Sequence, residues 1–418
     1  MSDRLRHNGC DTLMLGFDYE LRRRGFAGNS CQIILELSKA VDHTKLEKRL
    51  TELVRQNPIL RSRPVRGLNP HWKPARTMPR VRVHMESTGL PQQLFNEPLD
   101  LHHGELIRFD LIGCTLIFTW AHALMDAKSA EYFLALVGDD QLLPPEAGPD
   151  WYAQRAKAAG NLRARVRQAW RALERLEQFK RALPVSLATQ RPPAAKKMKR
   201  RIVALSAAES ARVRENSTRL CGFLGDTNFH LAATLVELHR LQSRAGCATA
   251  SYVVPIPVGL RPKGTHAPLF SNQLTMLLHQ FLPGQLETVA QAAAAIKTQR
   301  AECLREGHVD SSIALAQLFR ALPLRLYMWL VKHELQGEIC SLFFGDTSAV
   351  DPALENFFDA RIETFAHVPA ITVPPGIGIV FYRFRQQLNF TLVHAEGTLT
   401  GGEVDEFIGL VRQRLLNP

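Results

Sequence analysis

A charged, proline-rich stretch, TQRPPAAKKMKRR at residues 189–201, divides this chain of 418 residues into two parts. It has no apolar pattern that a helix or a strand could bury, so we interpret it as a crossover. Each flanking part is long enough for a domain of about 200 residues. The sequence therefore predicts an N-terminal domain over 1–185, a crossover over 186–200 and a C-terminal domain over 201–418.

Both parts mix strand patterns with helix patterns. In the first part, CQIILEL (31–37) predicts a strand, HTKLEKRLTELVRQ (43–56) predicts a helix capped by Asp42, and 105–113 with 114–120 predict paired strands. In the second part the same reasoning predicts strands at 251–258, 271–281, 339–344, 376–384 and 387–395, a helix capped at Ser206 and a closing helix near Glu403. The predicted fold class is α/β, with a large sheet in each half.

Three further features of the sequence predict the cellular compartment of the protein. It has no run of 18 apolar residues, which predicts that no helix spans a membrane. Its first residues, MSDRLRHNGCDTLMLG, lack the apolar core of a signal peptide. The seven cysteines are scattered and form no CxxC pair, which favours a reducing compartment. We therefore expect a cytoplasmic protein.

The net charge of +12 is concentrated in one segment. Fifteen of the 52 lysines and arginines, but only two of the 40 acidic residues, lie between Trp151 and Arg201. The rest of the chain is close to neutral, which argues against a general nucleic-acid-binding surface. A local anionic partner fits this distribution better.

The segment FTWAHALMDAKSA is the strongest chemical motif. A predicted strand ends in His122, and Asp126 follows four residues later. A neutral imidazole at the end of a strand suits proton abstraction, because its pKa lies near the working pH. Asp126 could face the same cavity, or it could hold the turn by pairing with an arginine. HxxxD also occurs by chance, so two unrelated loop residues are the alternative interpretation.

Other motifs for catalysis or metal binding are weak or missing. The sequence has no GxSxG elbow, no GxxxxGK[ST] phosphate loop, no HExxH and no GxGxxG. His102 and His103 could be metal ligands, but no second cluster stands nearby in the sequence, so we interpret them as solvated loop residues. No metal site is predicted.

Five short segments, taken together, resemble a known superfamily. They occur in the order NPILRSR (57–63), HALMDA (122–127), PIPVGLRPKG (255–264), FSNQLTMLLHQFLPG (270–284) and SLFFGDTS (341–348). This order resembles the chloramphenicol-acetyltransferase-like superfamily, which includes condensation domains of nonribosomal peptide synthetases, plant BAHD acyltransferases and wax-ester-synthase-type enzymes. The resemblance spans nearly the whole chain. It implies two chloramphenicol-acetyltransferase-like α/β sandwich subdomains with an active-site tunnel between them.

The resemblance also implies a role for individual residues. His122 matches the general base, which takes a proton from an acceptor hydroxyl or amine. Asp126 matches an aspartate that pairs with an arginine, here Arg261, and so fixes the loop of the histidine. Asn272 and Thr347 fall on the substrate or oxyanion side of the site. Thr347 could donate to an oxyanion, or it could cap a turn.

Three departures from the family pattern bear on the subfamily. Ala121 stands where condensation domains usually have a first histidine, Ala127 replaces a glycine, and 341–348 contains neither DFGWG nor SNxG. Ala121 favours a stand-alone acyltransferase that moves an acyl group from a CoA or acyl-carrier-protein thioester to a hydroxyl or amine of a small-molecule or lipid acceptor, with no bound cofactor or metal. The alternative, which all three departures support, is a catalytically idle relative that binds a carrier protein or a lipid as a scaffold.

The basic segment leaves three interpretations open. Residues 150–183 have a helical pattern with a predicted apolar seam, which consists of Leu162, Val166, Ala169, Leu173, Leu176 and Leu183. Arginines recur every four residues beside this seam, at Arg163, Arg167, Arg171 and Arg175. The helix could pack on its own protein with a solvated cationic face, or lie on an anionic membrane surface. It could also receive an acidic acyl carrier protein or the phosphates of CoA.

Overall fold

The computed structural model describes residues 5–85, 91–145, 151–158, 160–247, 249–262 and 264–418. Lys263 of the PIPVGLRPKG segment lies outside the described residues. The strands are β1 (Ser30–Leu37), β2 (Ser62–Val65), β3 (His71–Pro74), β4 (Arg80–His84), β5 (Ile107–Ile112), β6 (Thr115–Ala121), β7 (Met198–Ala204), β8 (Tyr252–Gly259), β9 (Leu274–Phe281), β10 (Phe343–Ala349), β11 (Asn356–Phe357), β12 (Ala360–Val368), β13 (Ile377–Phe384) and β14 (Gln387–Ala395). The helices are α1 (Gly9–Arg23), α2 (His43–Gln56), α3 (Gln92–Phe95), α4 (Ala127–Gly138), α5 (Trp151–Ala158), α6 (Leu162–Gln178), α7 (Leu187–Gln190), α8 (Ala207–Cys221), α9 (Asp226–Arg244), α10 (Val289–Arg305), α11 (His308–Phe319), α12 (Leu324–His333) and α13 (Gly401–Leu416).

The larger sheet has six strands in the order β11-β12-β1-β6-β5-β4. Strand β1 lies inside this sheet and pairs antiparallel with β12 on one side and β6 on the other. Five consecutive residues of β1 are buried, because both faces of an inner strand are covered. Strand β6 ends at Ala121, which pairs with Ser30, so His122 directly follows the C-terminal end of this inner strand.

The smaller sheet has four strands in the order β10-β13-β14-β7, and β8 pairs with β9 as a separate two-stranded ribbon. Strands β13 and β14 are antiparallel and mostly buried, whereas β10 runs parallel to β13. The mixed α/β class is therefore confirmed, although the larger sheet is not confined to one half of the chain.

The larger sheet contains strands from both parts of the sequence. Strands β11 and β12 come from residues 356–368, far into the predicted C-terminal domain, yet they extend the sheet of the first part. Strand β7 begins at Met198, inside the predicted crossover. The boundaries at 185 and 200 stay a prediction, and the sheets themselves do not follow them.

Several predicted elements lie where the sequence patterns placed them. Helix α2 covers His43–Gln56, and the Asp42 side chain accepts hydrogen bonds from the backbone of its first turn. The buried residues of α2 are the predicted face, Leu46, Leu50, Leu53 and Val54. Helix α8 begins with the predicted capping box of Ser206 and Glu209. The strand predicted at 339–344 overlaps the observed strand only at its last two residues, since β10 covers Phe343–Ala349.

The basic segment differs from its prediction in two ways. It forms two helices, α5 and α6, and not one. Helix α6 packs on α11, and of its predicted seam Ala169 is buried and Leu173 and Leu176 are half-buried, whereas Leu162 and Val166 are exposed. None of the helices in the described part of the chain is both long and apolar enough to cross a bilayer.

Candidate active site

His122 lies in the loop that joins β6 to α4. Its backbone N–H donates to the carbonyl of Asn29 (3.0 Å), and its own carbonyl accepts from Asn272 Nδ2 (2.8 Å). The indole N–H of Trp120 donates to the carbonyl of Met125 (3.1 Å), which is a hydrogen bond within the loop itself. Three hydrogen bonds therefore fix the backbone around the imidazole.

The His122 imidazole is largely surrounded by protein. Its Nδ1 is buried, while the residue as a whole keeps some exposure. Burial lowers the pKa of His122, although the negative charge of Asp126 and the Asn272 side chain act in the opposite direction. A lowered pKa keeps the ring neutral at physiological pH, which is the form that can accept a proton.

The predicted contact between Asp126 and Arg261 is present. Arg261 Nη1 and Nη2 lie 3.3 and 3.2 Å from the two carboxylate oxygens, and Nη2 also donates to Ser129 Oγ (2.7 Å). Asp126 caps α4 by accepting from the backbone N–H of Ser129 (2.9 Å), and it accepts from the backbone N–H of Gln273 (2.9 Å). Burial raises the pKa of Asp126, but Arg261 and these backbone donors outweigh it, so the pKa is lowered.

A second buried carboxylate, Asp11, was not anticipated from the sequence. Asp11 Oδ1 accepts from the backbone N–H and from Nδ2 of Asn272, at 2.8 and 3.0 Å. Asn8 forms a capping box with Asp11 at the start of α1 and also donates to Ser271 Oγ (2.8 Å). Two carboxylates, Asp11 and Asp126, thus fix the segment 271–273 beside the His122 loop. Asn8 and Asp11 have capping-box spacing, which is the sequence signal that could have located them.

The geometry revises the role of Asn272. Its Nδ2 group donates to Asp11 and to the His122 carbonyl, so both hydrogens of the amide are used within the protein. An oxyanion needs a free donor, and Asn272 does not provide one. The residue lies beside the site, as expected, and it holds the His122 backbone.

Thr347 lies in β10 of the smaller sheet, and the structure describes no hydrogen bond between it and the His122 group. Its Oγ1 is buried with no hydrogen-bond partner in the described part of the chain. The local turn is instead capped by Asp346, whose Oδ1 accepts from the backbone N–H of Ser348 (2.9 Å), a residue with φ of 59°. Asp346 also pairs with the buried His230 (2.9 Å). The turn-capping alternative for Thr347 is not what the structure has.

An apolar cavity of about 170 Å³ lies between α1 and the second half of the chain. Its wall is built from α1, α6, β8, β9, α11, α12 and β10, and includes Cys10, Phe17, Thr275, Ser312 and Phe343. His122 is not among the described residues that line it. The cavity is nevertheless close to the His122 group, because Cys10 precedes Asp11 and Thr275 follows Asn272 by only three residues, at most about 11 Å of chain.

His102 and His103 are exposed, and His103 Nδ1 contacts Asp100 Oδ2 (2.7 Å). Within the described ranges, no three histidine, cysteine or acidic side chains come together as a metal site.

Comparison with known proteins identifies solved structures of similar fold. No family model matches the chain, and no curated protein matches it. The first condensation domain of the CDA synthetase is similar over 100% of this chain and 97% of its own, with a TM-score of 0.72 and 15% identity. The TRI3 trichothecene 15-O-acetyltransferase from Fusarium sporotrichioides is similar over 98% and 95%, with a TM-score of 0.70 and 12% identity. The condensation domain of the Monacolin K polyketide synthase MokA covers 99% of this chain with a TM-score of 0.66 and 15% identity.

Proposed function

We propose that this chain, which has the chloramphenicol-acetyltransferase-like fold of condensation domains and acyltransferases, transfers an acyl group from a CoA or acyl-carrier-protein thioester to a hydroxyl or amine. The observation that carries the proposal is a histidine with a lowered pKa, presented at the end of a strand and fixed through its backbone by Asn272. The buried Asp126–Arg261 pair supports it, because such a pair stiffens the loop that aims the ring.

In the proposed reaction His122 acts as a general base. It accepts the proton of the acceptor hydroxyl or amine while the acceptor's oxygen or nitrogen attacks the thioester carbonyl. The tetrahedral intermediate then collapses, the carbon–sulfur bond breaks, and the imidazolium returns the proton to the departing thiolate. Asp126, Arg261, Asp11 and Asn272 act as positioning residues. The seven cysteines are unpaired, and we place the reaction in a reducing, cytoplasmic compartment, where the thiol product persists.

The direct test is thiol release from acyl thioesters. We would incubate the protein with acetyl-, hexanoyl-, octanoyl- and palmitoyl-CoA, alone and with pools of alcohols and amines, and follow free thiol together with the mass of the acylated acceptor. The proposal expects thiol release that depends on an acceptor and forms an equal amount of ester or amide. Release without an acceptor would indicate hydrolysis and would contradict acyl transfer.

We further propose that the apolar cavity receives the acyl chain. An engineered apolar cavity of about 150 Å³ is large enough for a benzene ring, so a cavity of about 170 Å³ suits a medium-length chain or an aryl group. Ser312→Phe should fill the cavity from α11 and remove room for two or three methylene groups. At about 0.8 kcal/mol per buried methylene, kcat/KM for octanoyl-CoA should fall roughly 15- to 60-fold relative to acetyl-CoA.

Ser243→Phe is the matched control, because Ser243 is an exposed serine on α9, outside the cavity wall. It should leave the ratio of octanoyl to acetyl turnover unchanged. Equal chain-length profiles for Ser312→Phe and wild type would show that the acyl chain binds elsewhere.

Thr347 stays our proposed oxyanion donor. Thr347→Val removes a buried hydroxyl that has no described partner, so the free energy of unfolding should be unchanged or slightly higher. If the hydroxyl donates to the tetrahedral intermediate, kcat should fall on the order of 100-fold with little change in KM. Unchanged kcat would remove Thr347 from the site.

The rival function is a catalytically idle protein that binds an acyl chain or its carrier as a scaffold. The observation that favours it is the position of His122 outside the wall of the apolar cavity. An idle protein would bind octanoyl-CoA without releasing thiol in the presence of any acceptor. Binding measured by calorimetry alongside the thiol assay separates the two functions.

A further inference from the structure

We infer that the outward face of α6 docks an acidic helix of the protein that carries the donor thioester. This inference rests on the proposed acyl transfer and deepens it, because it selects a protein-borne donor over free CoA. The face is defined by two adjoining rows, an apolar row of Leu162, Val166 and Trp170 and a basic row of Arg163, Arg167 and Arg171.

The apolar row is unusually exposed for its composition. Leu162, Val166 and Trp170 keep 60%, 48% and 61% of their surface accessible. They recur every four residues, so they form one stripe along about 12 Å of helix. The buried Ala169 and Ala172 lie on the flank of α6 next to this stripe, and α6 packs on α11, while the stripe itself stays exposed.

Each arginine of the basic row directly follows one residue of the apolar row in the sequence, so the two rows lie side by side along the helix. Arg163, Arg167 and Arg171 are exposed, and no described carboxylate forms an ion pair with them. Exposed tryptophan and arginine are the residues most often found at the energetic centres of protein interfaces. Acidic side chains that flank apolar anchors on a partner helix would complement both rows at once.

Arg175 does not belong to this face, although the sequence grouped it with the other three arginines. Its Nη2 donates to the carbonyl of Leu278 (3.1 Å), and its side chain lines the apolar cavity. Arg175 and His308 also line a polar surface groove, the vestibule, whose wall contains Arg171 and Arg181 together with Glu174, Glu302 and Glu306. The vestibule adjoins the docking face at Arg171 and the cavity wall at Arg175 and His308. A carrier docked on α6 would therefore lie beside the proposed acyl site.

The position of the face favours a protein over a bilayer. Leu162, Val166 and Trp170, with Arg163 and Arg167, line a shallow, open surface on one helix. Through Arg171 this surface adjoins the vestibule, so a docked carrier would bring its thioester close to the proposed acyl site, whereas a lipid headgroup would bring no donor there. Membrane binding and self-association of this chain are the outcomes that the experiment must distinguish from docking.

The test measures binding of the full chain to a purified apo acyl carrier protein, an acidic helical probe that cannot undergo acyl transfer. We would compare wild type with Arg163→Gln/Arg167→Gln and with Val166→Ser/Trp170→Ser by calorimetry at 0.05 and 0.5 M salt. Both double variants change exposed residues and should fold normally. Their Kd should rise roughly tenfold or more at low salt. The arginine variant alone should lose most of its defect at high salt, because screening shortens the reach of exposed charges.

Matched controls carry the same changes elsewhere. Arg55→Gln/Arg63→Gln removes two exposed arginines from α2 and β2, and Leu68→Ser removes an exposed leucine. These controls should bind the probe like wild type. The ratio of turnover with an acyl-carrier-protein thioester to turnover with the matching acyl-CoA should fall at least tenfold in the α6 variants only.

Each result decides the inference separately from the reaction. Equal binding by all variants overturns the docking face, and acyl transfer is then judged on acyl-CoA alone. Loss of binding in the α6 variants without turnover of any thioester keeps the face but overturns the proposed chemistry. An α6-dependent affinity for vesicles of anionic phospholipid, or α6-dependent dimers in sedimentation, with no affinity for the carrier, would also overturn the inference.

Discussion

Replacing His122 by alanine is expected to lower kcat for acyl transfer by about 10²–10⁴-fold, the usual contribution of a positioned general base. The KM for the thioester should change little, because the proposed acyl cavity is built from other residues. The loss arises from proton removal, so it should be smaller for an acceptor that ionises readily, such as a thiol. The measurement is steady-state turnover with one alcohol, one amine and one thiol acceptor.

The pH dependence of kcat/KM should also differ between wild type and His122→Ala. Burial holds the pKa of His122 below its ordinary value of about 6.5. A base is active when it is neutral, so kcat/KM should stay on its plateau at pH 7 and decline only as the pH falls through this lowered pKa. His122→Ala should lack that acidic limb.

His102→Ala is the control, since His102 is an exposed histidine in the loop before β5. It should keep both the rate and the pH profile of wild type. A His122→Ala protein that turns over normally, or a wild-type acidic limb that lies above pH 6.5, would contradict the assignment of the base.

Local patterns predicted several individual helices and strands well. Helix α2 and the capping box of α8 were predicted because caps and apolar spacing are local signals. The strand predicted over 114–120 matches β6 (Thr115–Ala121) to within one residue at each end, because its run of apolar residues is also a local signal. The contact between Asp126 and Arg261 came from the resemblance and not from spacing, because the two residues are 135 positions apart.

The features that the sequence did not predict depend on long-range packing. Strand β12 joins the sheet of the first part by pairing with β1, more than 300 residues away, and no local pattern indicates which sheet a strand enters. Asp11 contacts Asn272 across 261 positions. The burial of α6 also depends on its neighbours, since the packing on α11 leaves Leu162, Val166 and Trp170 exposed. Periodicity showed an apolar side of the helix but not which residues would be covered.

The buried pair of Asp126 and Arg261 is expected to dominate the stability of the loop that carries His122. Asp126→Asn leaves Arg261 with no carboxylate at 3.2 Å, and it replaces an acceptor of two backbone N–H groups by an amide that also carries hydrogens. Removing one partner of a buried pair costs about 3–5 kcal/mol of unfolding free energy. The measurement is denaturant unfolding of both proteins at pH 7.

Asp359→Asn is the matched control, because Asp359 pairs with Lys39 at the surface, where the two side chains are 76% and 53% exposed. Water and salt already screen that pair, so its loss should change the unfolding free energy far less than the loss of the Asp126 pair. Comparable losses in the two variants would show that burial of Asp126 does not strengthen its pairing. A double variant, Asp126→Asn with Arg261→Met, should recover part of the loss, because no charge is then left buried without a partner.

The pH dependence of the difference between wild type and Asp126→Asn follows from the lowered pKa of Asp126. A carboxyl whose folded pKa lies below its unfolded value of about 3.9 stabilises the fold fully above that pH, and the contribution is lost as the pH falls through the folded pKa. The gap in unfolding free energy should therefore be constant from pH 5 to 8 and should narrow below about pH 4. A gap that widens towards low pH would mean that protonated Asp126 is the stabilising form. The carboxylate could not then be the group that holds Arg261 and aims the His122 loop.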